Sequence, residues 1–228
     1  MIGANKKKSD FATPYTVSNA LTKGGAAVKL SALIMGLGNI AHKQIIKGLI
    51  FLAIEIGYIM FMVNAGAYYL SMLPSLGWRK QEEVFNEQKQ IYEYVQGDNS
   101  LLILLYGITV IFIICAYIIL AVSSLKSAYN VELRMKQGKH INTFVEDIKA
   151  LFNENLHKLL LVLPVTGILV FTILPLVFMI SMAFTSYSKV DSHLVLFDWV
   201  GLENFKLIFN SGSSIGQSFW SVFGWTII

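Results

Sequence analysis

Glu55 is the one ionisable residue inside a long apolar run of this 228-residue chain. A carboxylate near the middle of a bilayer costs about 2.5 kcal/mol or more, so such a residue often has a role in transport or coupling. Glu55 follows Lys47 by about two helical turns, and a packed, hydrogen-bonded or protonated side chain is the favoured interpretation. Asn64, in the same run, is interpreted as a contact between helices.

The other residues that could do chemistry form no recognisable catalytic or metal-binding motif. The four histidines (42, 140, 157 and 193) are scattered over three regions, and the P-loop, HExxH and GxSxG motifs are missing from the sequence. Cys115 is the only cysteine and lies in an apolar run, which excludes a disulfide framework and a thiolate metal cluster. The sequence therefore predicts that the chain is not an enzyme, has no catalytic, metal or cofactor site of its own, and leaves its substrate-binding residues unknown.

Two prolines lie in another apolar run, residues 159–188. Pro164 and Pro175 each lack the backbone N–H that an α-helix uses, so they are expected to kink the helix that contains them. Kinked spans are frequent in transporters, because the freed carbonyl groups must face protein or water. Pro164 could instead occupy the first turn of its helix, where a proline needs no functional explanation.

The composition indicates the environment of these residues. Hydrophobic residues make up 55% of the chain and charged residues 14%, and the mean hydropathy is +0.59. Soluble proteins contain about 25% charged residues, so this chain has too few charges to cover a water-exposed surface. The sequence predicts an all-α, multi-spanning helical integral membrane protein.

Apolar runs approaching or exceeding the 20 or so residues that a spanning helix needs divide the chain into segments. The fourth run stops at Ile228 without a polar flank, so we interpret the sequence as a fragment of a longer protein. The predicted segments are a tail with an interfacial helix (1–44), the first span (45–73), a loop (74–100), the second span (101–125), a loop (126–158), the third span (159–188), a segment with an interfacial helix (189–217) and the start of a fourth span (218–228).

The basic residues alternate in number along the chain. Lys and Arg number seven in 1–47, three in 74–100, six in 126–158 and two in 189–206. Because positive charge is concentrated in cytoplasmic loops, the N-terminus and 126–158 are predicted to be cytoplasmic and the other two segments extracellular. The net charge of +4 is therefore explained by the basic cytoplasmic segments, which lie next to anionic lipid. No nucleic-acid partner is predicted.

The connecting segments have local patterns of their own. Residues 30–41 are uncharged but short for a span, so an interfacial helix is predicted there; a re-entrant span would invert the topology. Thr143 and Glu146 have the spacing of a capping box, which predicts a helix over 143–156. A short surface helix is predicted in 74–100, with one face formed by Val84, Gln88, Ile91 and Val95.

The third predicted span and the segment after it carry a specific pattern. LLLVLPVTGILVFTILPLVFMISMAFTSYS is followed by FDWVGLENFKLIF, and this region resembles the membrane subunits of binding-protein-dependent sugar ABC importers. The two leading spans, the MGLGNIAHKQIIKG stretch and the short loop 74–100 resemble the larger maltose/maltodextrin permease subunit of single-membrane bacteria. The family motif residues are Trp199, Val200, Gly201, Leu202, Glu203, Asn204 and Phe205.

The resemblance implies a type I ABC importer permease fold, truncated here, that conducts an oligosaccharide such as maltose or maltodextrin across the plasma membrane. It implies four kinds of partner: the lipid bilayer, a second permease subunit, two ATPase subunits that hold ATP and Mg²⁺, and an extracellular solute-binding protein. The family's E-A-A…G coupling loop and the helices with most sugar contacts are not in this sequence, so no substrate contact is transferred. The alternative is a non-transport membrane assembly or sensor subunit.

Within the motif segment, a helix beginning after Gly201 is predicted. This helix would lie on the outer membrane surface and position the fourth span; contact with a docked binding protein, or a gate, is the alternative. Its polar side would carry Glu203 and Lys206, three residues apart and able to pair weakly. Its apolar side would carry Leu202, Phe205, Ile208 and Phe209.

Overall fold

The computed structural model describes residues 15–80, 82–95, 97–187, 189–190, 193–194, 196–210 and 212–227. Within these residues, three helices are long and apolar enough to cross a membrane, and each overlaps one of the three complete predicted spans: Ile45–Met72, Ser100–Lys136 and Leu156–Met182. The mostly helical, multi-spanning fold predicted from the sequence is confirmed. Residues 1–14, with three of the lysines in the charge pattern, lie outside the described part, as does Ile228.

Three short helices precede the first span: α1 (Val17–Lys23), α2 (Ala26–Leu30) and α3 (Leu37–Ala41). Thr16 caps α1, because its side chain accepts the N–H of Asn19 at 3.3 Å. A turn with Gly36 at φ +82° separates α2 from α3. A single continuous helix over 30–41 is therefore not formed, because a left-handed glycine interrupts the helical backbone; the interfacial location of this segment stays a prediction.

The first span consists of α4 (Ile45–Phe61), a π-helical segment (Met62–Gly66) and α5 (Ala67–Met72). A β-hairpin follows it, where a surface helix was predicted; its antiparallel strands are β1 (Glu82–Asn86) and β2 (Ile91–Val95). The Asn86 side chain accepts the N–H groups of Gln88 and Lys89 at 3.0 and 3.3 Å, which forms the turn. The helix prediction was wrong because β-branched and aromatic residues, including the Phe85–Tyr92 ring pair, favour strands.

The second span is the first part of a 37-residue helix, α6 (Ser100–Lys136). It continues well past the predicted end at residue 125, because the residues that follow include good helix formers such as Leu133 and Met135. Gly138, at φ +64°, provides the left-handed position at which helices commonly stop. The first part of the predicted loop 126–158 is therefore helical.

The next helix is α7 (Phe144–Asn153). The predicted capping box is present: Thr143 Oγ1 accepts the N–H of Glu146 at 3.3 Å, and Glu146 Oε2 accepts the N–H of Thr143 at 2.7 Å. These bonds hold the pKa of Glu146 below its usual range, together with a contact from His140. The helix ends before the predicted residue 156, and a new helix begins there.

The third span consists of α8 (Leu156–Ile168), a second π-helical segment (Leu169–Ile173) and α9 (Leu174–Met182). Pro164 lies inside α8, well past its first turn, so the alternative of an N-terminal proline is wrong. Pro175 lies in the first turn of α9 and has no N–H for the carbonyl of Phe171 four residues earlier. The π-helical segment lies at this break, and the kink expected at each proline stays a prediction.

The chain ends in short elements: β3 (Lys189–Val190), β4 (His193–Leu194), α10 (Glu203–Phe209) and α11 (Ser214–Ile227). Two compact units are formed, one by residues 15–61 with 114–162 and the other by 62–113 with 163–227. The core of the first unit is Ala20, Val28, Leu125, Ala128 and Tyr129. The core of the second unit is Leu76, Ile103, Leu104, Ile108 and Phe197.

Candidate functional site

Glu55 lies in the first unit on α4 and is only 6% exposed. Its Oε2 accepts the backbone N–H of Met35 at 2.8 Å, and its Oε1 accepts the hydroxyl of Tyr117 at 3.3 Å. Both carboxyl oxygens therefore have a donor, as a buried carboxyl group requires. The geometry is that of a packed, hydrogen-bonded side chain, while a role in transport or coupling stays a prediction.

Tyr117 is positioned for this bond by a second tyrosine. Its ring stacks on that of Tyr58, with centroids 3.8 Å apart and an angle of 7° between the planes. Tyr58 follows Glu55 by three residues on α4, so the two side chains lie on neighbouring positions of one helix face. The carboxyl group and the ring together hold Tyr117 of α6 against α4.

The donor on the other side, Met35, belongs to the turn between α2 and α3. The next residue, Gly36, donates its N–H to Ser124 Oγ of α6 at 3.0 Å. A Cβ atom on Gly36 would overlap the carbonyl oxygen of Gly48 in α4, and its φ of +82° also favours glycine. The turn is thus fixed between α4 and α6 by two hydrogen bonds and one close backbone contact.

A second buried polar cluster lies in the same unit. Asn39 Nδ2 donates to Gln44 Oε1 at 2.9 Å and to Ser127 Oγ at 3.0 Å. Gln44 Nε2 donates to the carbonyl of Asn142 at 2.9 Å. The cluster connects α3, the start of the first span, α6 and the residues just before α7.

Charged residues add two further connections within the first unit. Lys47 of α4 pairs with Asp147 of α7 at 3.0 Å, and both side chains are about one-third exposed or less. Glu132 of α6 accepts the N–H of Gly25 at 2.8 Å and pairs with Lys136. A buried carboxylate with a charged partner and a backbone donor is well compensated, so these residues stabilise the arrangement of the N-terminal helices.

Two of the four histidines have individual partners. His42 Nδ1 lies 2.5 Å from the carbonyl of Gly38, and His140 Nε2 lies 3.0 Å from Glu146 Oε2. The side chain of His193 is outside the described part of the chain. Across the described ranges, His, Cys, Asp and Glu form no group of three that could hold a metal ion.

The family motif lies in the second unit, at the end of the third span. Trp199 Nε1 donates to the carbonyl of Leu73 at 2.9 Å, and its backbone forms an antiparallel bridge with Thr185. The N–H groups of Val200 and Gly201 both reach the carbonyl of Phe184, at 2.8 and 3.1 Å. The first half of the motif is therefore held to the residues that follow α9.

The second half of the motif forms the predicted helix, α10. Leu202 is its N-cap and Gly201, at φ +61°, precedes it, so the helix starts one residue later than predicted. Asn204 Nδ2 donates to the carbonyls of both Ala183 and Thr185, at 2.9 and 2.8 Å. The ring of Phe205 contacts that of Phe184, with centroids 5.2 Å apart, so the helix is fixed to the end of the span by two side chains.

Sequence reasoning named the motif and Glu55 but missed the side chains that hold them. Tyr117 and Ser124 lie inside the apolar run of α6, Ser127 lies just after it and Asn39 lies in the tail. The only available signal was a polar residue in or near an apolar stretch. Pro164 and Pro175, the predicted kink residues, contact neither the Glu55 group nor the motif residues in the contacts described above. None of these contacts is catalytic in kind, so the geometry alone identifies no reaction.

Comparison with known proteins gives a consistent result. The maltodextrin transport system permease protein MalC of Streptococcus pneumoniae is 32% identical over 203 residues, or 87% of this chain. The maltodextrin transport system permease protein MdxF of Bacillus subtilis is 32% identical over 215 residues, or 92%. This chain is a homologue of bacterial sugar-transport permeases. The resemblance predicted from the motif residues is confirmed.

A further relative of this permease homologue is the galactooligosaccharides transport system permease protein GanP of Bacillus subtilis, 26% identical over 205 residues and 87% of the chain. The chain spans 42%, 45% and 44% of the lengths of MalC, MdxF and GanP. No family profile and no solved structure gives a significant match.

Proposed function

We propose that this chain is the transmembrane permease subunit of an ATP-driven sugar importer and forms part of the pathway for an oligosaccharide such as maltose or maltodextrin. The observation that supports the proposal is the 32% identity to maltodextrin permeases of two bacteria, over 87% and 92% of the chain. The similarity to a galactooligosaccharides permease favours oligosaccharides as the substrate class over monosaccharides.

The chemistry that drives import is assigned to other subunits. The chain has no nucleotide-binding motif, so ATP and Mg²⁺ would be held by two ATPase subunits. A second permease subunit would complete the membrane pathway, and an extracellular solute-binding protein would deliver the sugar. The chain itself would contribute membrane-spanning helices and no catalytic residue.

The proposed location is the plasma membrane, with the N-terminus and residues 126–158 on the cytoplasmic side. The alternation of basic residues supports this orientation. It places the hairpin of β1 and β2 and the motif segment outside the cell, on the side from which a binding protein would approach. Glu55 is assigned a structural role in this account, because both of its oxygens have donors.

The proposal is tested by growth and by purification from the source organism. Disrupting the gene should prevent growth on maltodextrin as the sole carbon source and leave growth on glucose intact. The affinity-tagged protein should co-purify from mild detergent with a second permease and an ATPase. Normal growth on all oligosaccharides, with no ATPase in the purified material, would instead support a non-transport role.

A further inference from the structure

Helix α7 carries an apolar face that the described part of the chain covers only in part, and Ile148 at the centre of this face is 39% exposed. Phe144, Val145, Ile148, Leu151 and Phe152 fall within an arc of about 120° at 100° per residue. None of the residues of this helix is buried, and Val145 and Phe152 are 59% and 57% exposed. Such a face on a ten-residue helix would normally be placed against other apolar material.

Two contacts fix the level of α7 along the first span. Asp147 pairs with Lys47, which is the third residue of α4. The carbonyl of Asn142, just before the N-cap of α7, accepts a hydrogen bond from Gln44, the residue just before α4. The helix therefore lies level with the first turn of the 28-residue helix Ile45–Met72. Because such a helix is about 42 Å long and the hydrocarbon core is about 30 Å thick, this first turn is expected at the level of the lipid head groups.

The same contacts fix the rotation of α7. Asp147 faces the protein, and the centre of the apolar arc is about 100° away from it around the helix axis. The third span begins three residues after α7 ends, and two of its first apolar residues, Leu156 and Leu160, are 41% and 64% exposed. The apolar face of α7 is therefore close along the chain to the apolar surface of a spanning helix.

We propose that α7 is an interfacial helix whose apolar face lies in the boundary between lipid head groups and acyl chains. Amphipathic helices bind there by burying apolar side chains, with or without help from anionic lipids. Residues 139–158 contain three lysines and three acidic residues, so apolar burial is the driving force and anionic lipid is not required. This inference is independent of the transported sugar and of which side of the membrane the helix occupies.

The test measures the depth of single labels in the full chain reconstituted in phosphatidylcholine vesicles. Cys115 is the only cysteine, so a Cys115→Ser background accepts one new thiol for an environment-sensitive fluorophore. Ile148→Cys lies at the centre of the apolar arc, and Asn153→Cys lies about 140° away on the same helix. Val145→Cys and Ala150→Cys, also about 140° apart, form a second such pair in case one variant does not fold.

We expect lipids with a spin label near the head group to quench the labels at 148 and 145 strongly and those at 153 and 150 weakly. The same pattern should persist when anionic lipid is added. Equal quenching at all four positions would overturn the proposal. A label at 148 shielded from both water and lipid would also overturn it, because a protein partner would then cover the face.

Discussion

At the scale of single residues, the packing of the first unit depends on the carboxyl group of Glu55, which accepts two hydrogen bonds. Glu55 connects α4 to a backbone N–H twenty residues earlier and to a tyrosine sixty-two residues later. A buried donor that loses its acceptor costs more than the lost bond itself, because the donor remains desolvated. The effect of a substitution at Glu55 should therefore depend on whether an acceptor remains.

Glu55→Ala should lower the stability of the purified chain by about 1–3 kcal/mol, because the N–H of Met35 loses its acceptor in a buried site. Glu55→Gln keeps one acceptor oxygen and should be less damaging. Thermal unfolding in the same detergent measures the difference, with Ile59→Ala at an exposed position of α4 as the control. If Glu55→Ala unfolds at the wild-type temperature while sugar import is lost, Glu55 acts in transport and our structural assignment is wrong.

Asp98 provides a pH-dependent contact outside the spans. Its Oδ2 accepts the N–H groups of Trp78 and Arg79 at 2.9 and 3.0 Å, and these bonds hold the pKa of Asp98 below its ordinary value. A carboxyl group with a lowered folded-state pKa stabilises the structure above its unfolded value of about 3.9. That stabilisation is lost as the pH falls through the folded-state pKa.

Asp98→Asn should therefore weaken the 78–98 contact at pH 6, and its difference from wild type should shrink as the pH falls below the ordinary pKa of an aspartate and through the lowered folded-state pKa of Asp98. Hydrogen exchange of the peptide around residues 78 and 79, corrected for the intrinsic rate at each pH, reports the contact directly. Asp198→Asn, an exposed aspartate of the second unit, is the matched control. Equal protection of wild type and Asp98→Asn at pH 6 would contradict the role of the carboxylate.

At the scale of elements, α10 is held to the end of the third span by the amide of Asn204. Asn204→Asp removes both donors and places a carboxylate against the carbonyls of Ala183 and Thr185, so it should release α10 more than Asn204→Ala does. Hydrogen exchange over 203–209 measures the release, with Lys206→Ala as the control. The account fails if the Asp and Ala variants both protect α10 as wild type does.

The elements differ in how well the sequence predicts them. The three spans follow from long apolar runs, a local property that tertiary contacts do not change. The hairpin at β1 and β2 was missed because four residues spaced for a helix were given more weight than the turn-forming side chain of Asn86. The extension of α6 was missed because the loss of hydrophobicity after residue 125 was treated as the end of the helix.

The candidate site was predictable only in part, for a physical reason. Glu55 and the motif are conspicuous as residue types, but their partners are distant in sequence: Glu55 with Tyr117, and Trp199 with Leu73. A backbone N–H such as that of Met35 leaves no signal in the sequence at all. Single-sequence patterns identify the conspicuous side chain and cannot identify the backbone group that it contacts.

At the scale of the whole molecule, the orientation in the membrane is the first quantity to test. In a Cys115→Ser background, a membrane-impermeant maleimide added to intact cells should label Gln90→Cys and not His140→Cys. Both should label after the cells are opened. Labelling of residue 140 from outside would invert the topology and place the motif segment in the cytoplasm.

The central claim is that the chain is part of a route for oligosaccharide import. The most direct test is the initial rate of uptake of radiolabelled maltodextrin by cells in which only this gene is disrupted, compared with cells that carry the restored gene. We predict that uptake falls to background in the disrupted strain, returns with the restored gene, and that glucose uptake is unchanged in both. Unaltered uptake of maltodextrin and of galactooligosaccharides in the disrupted strain would contradict the account.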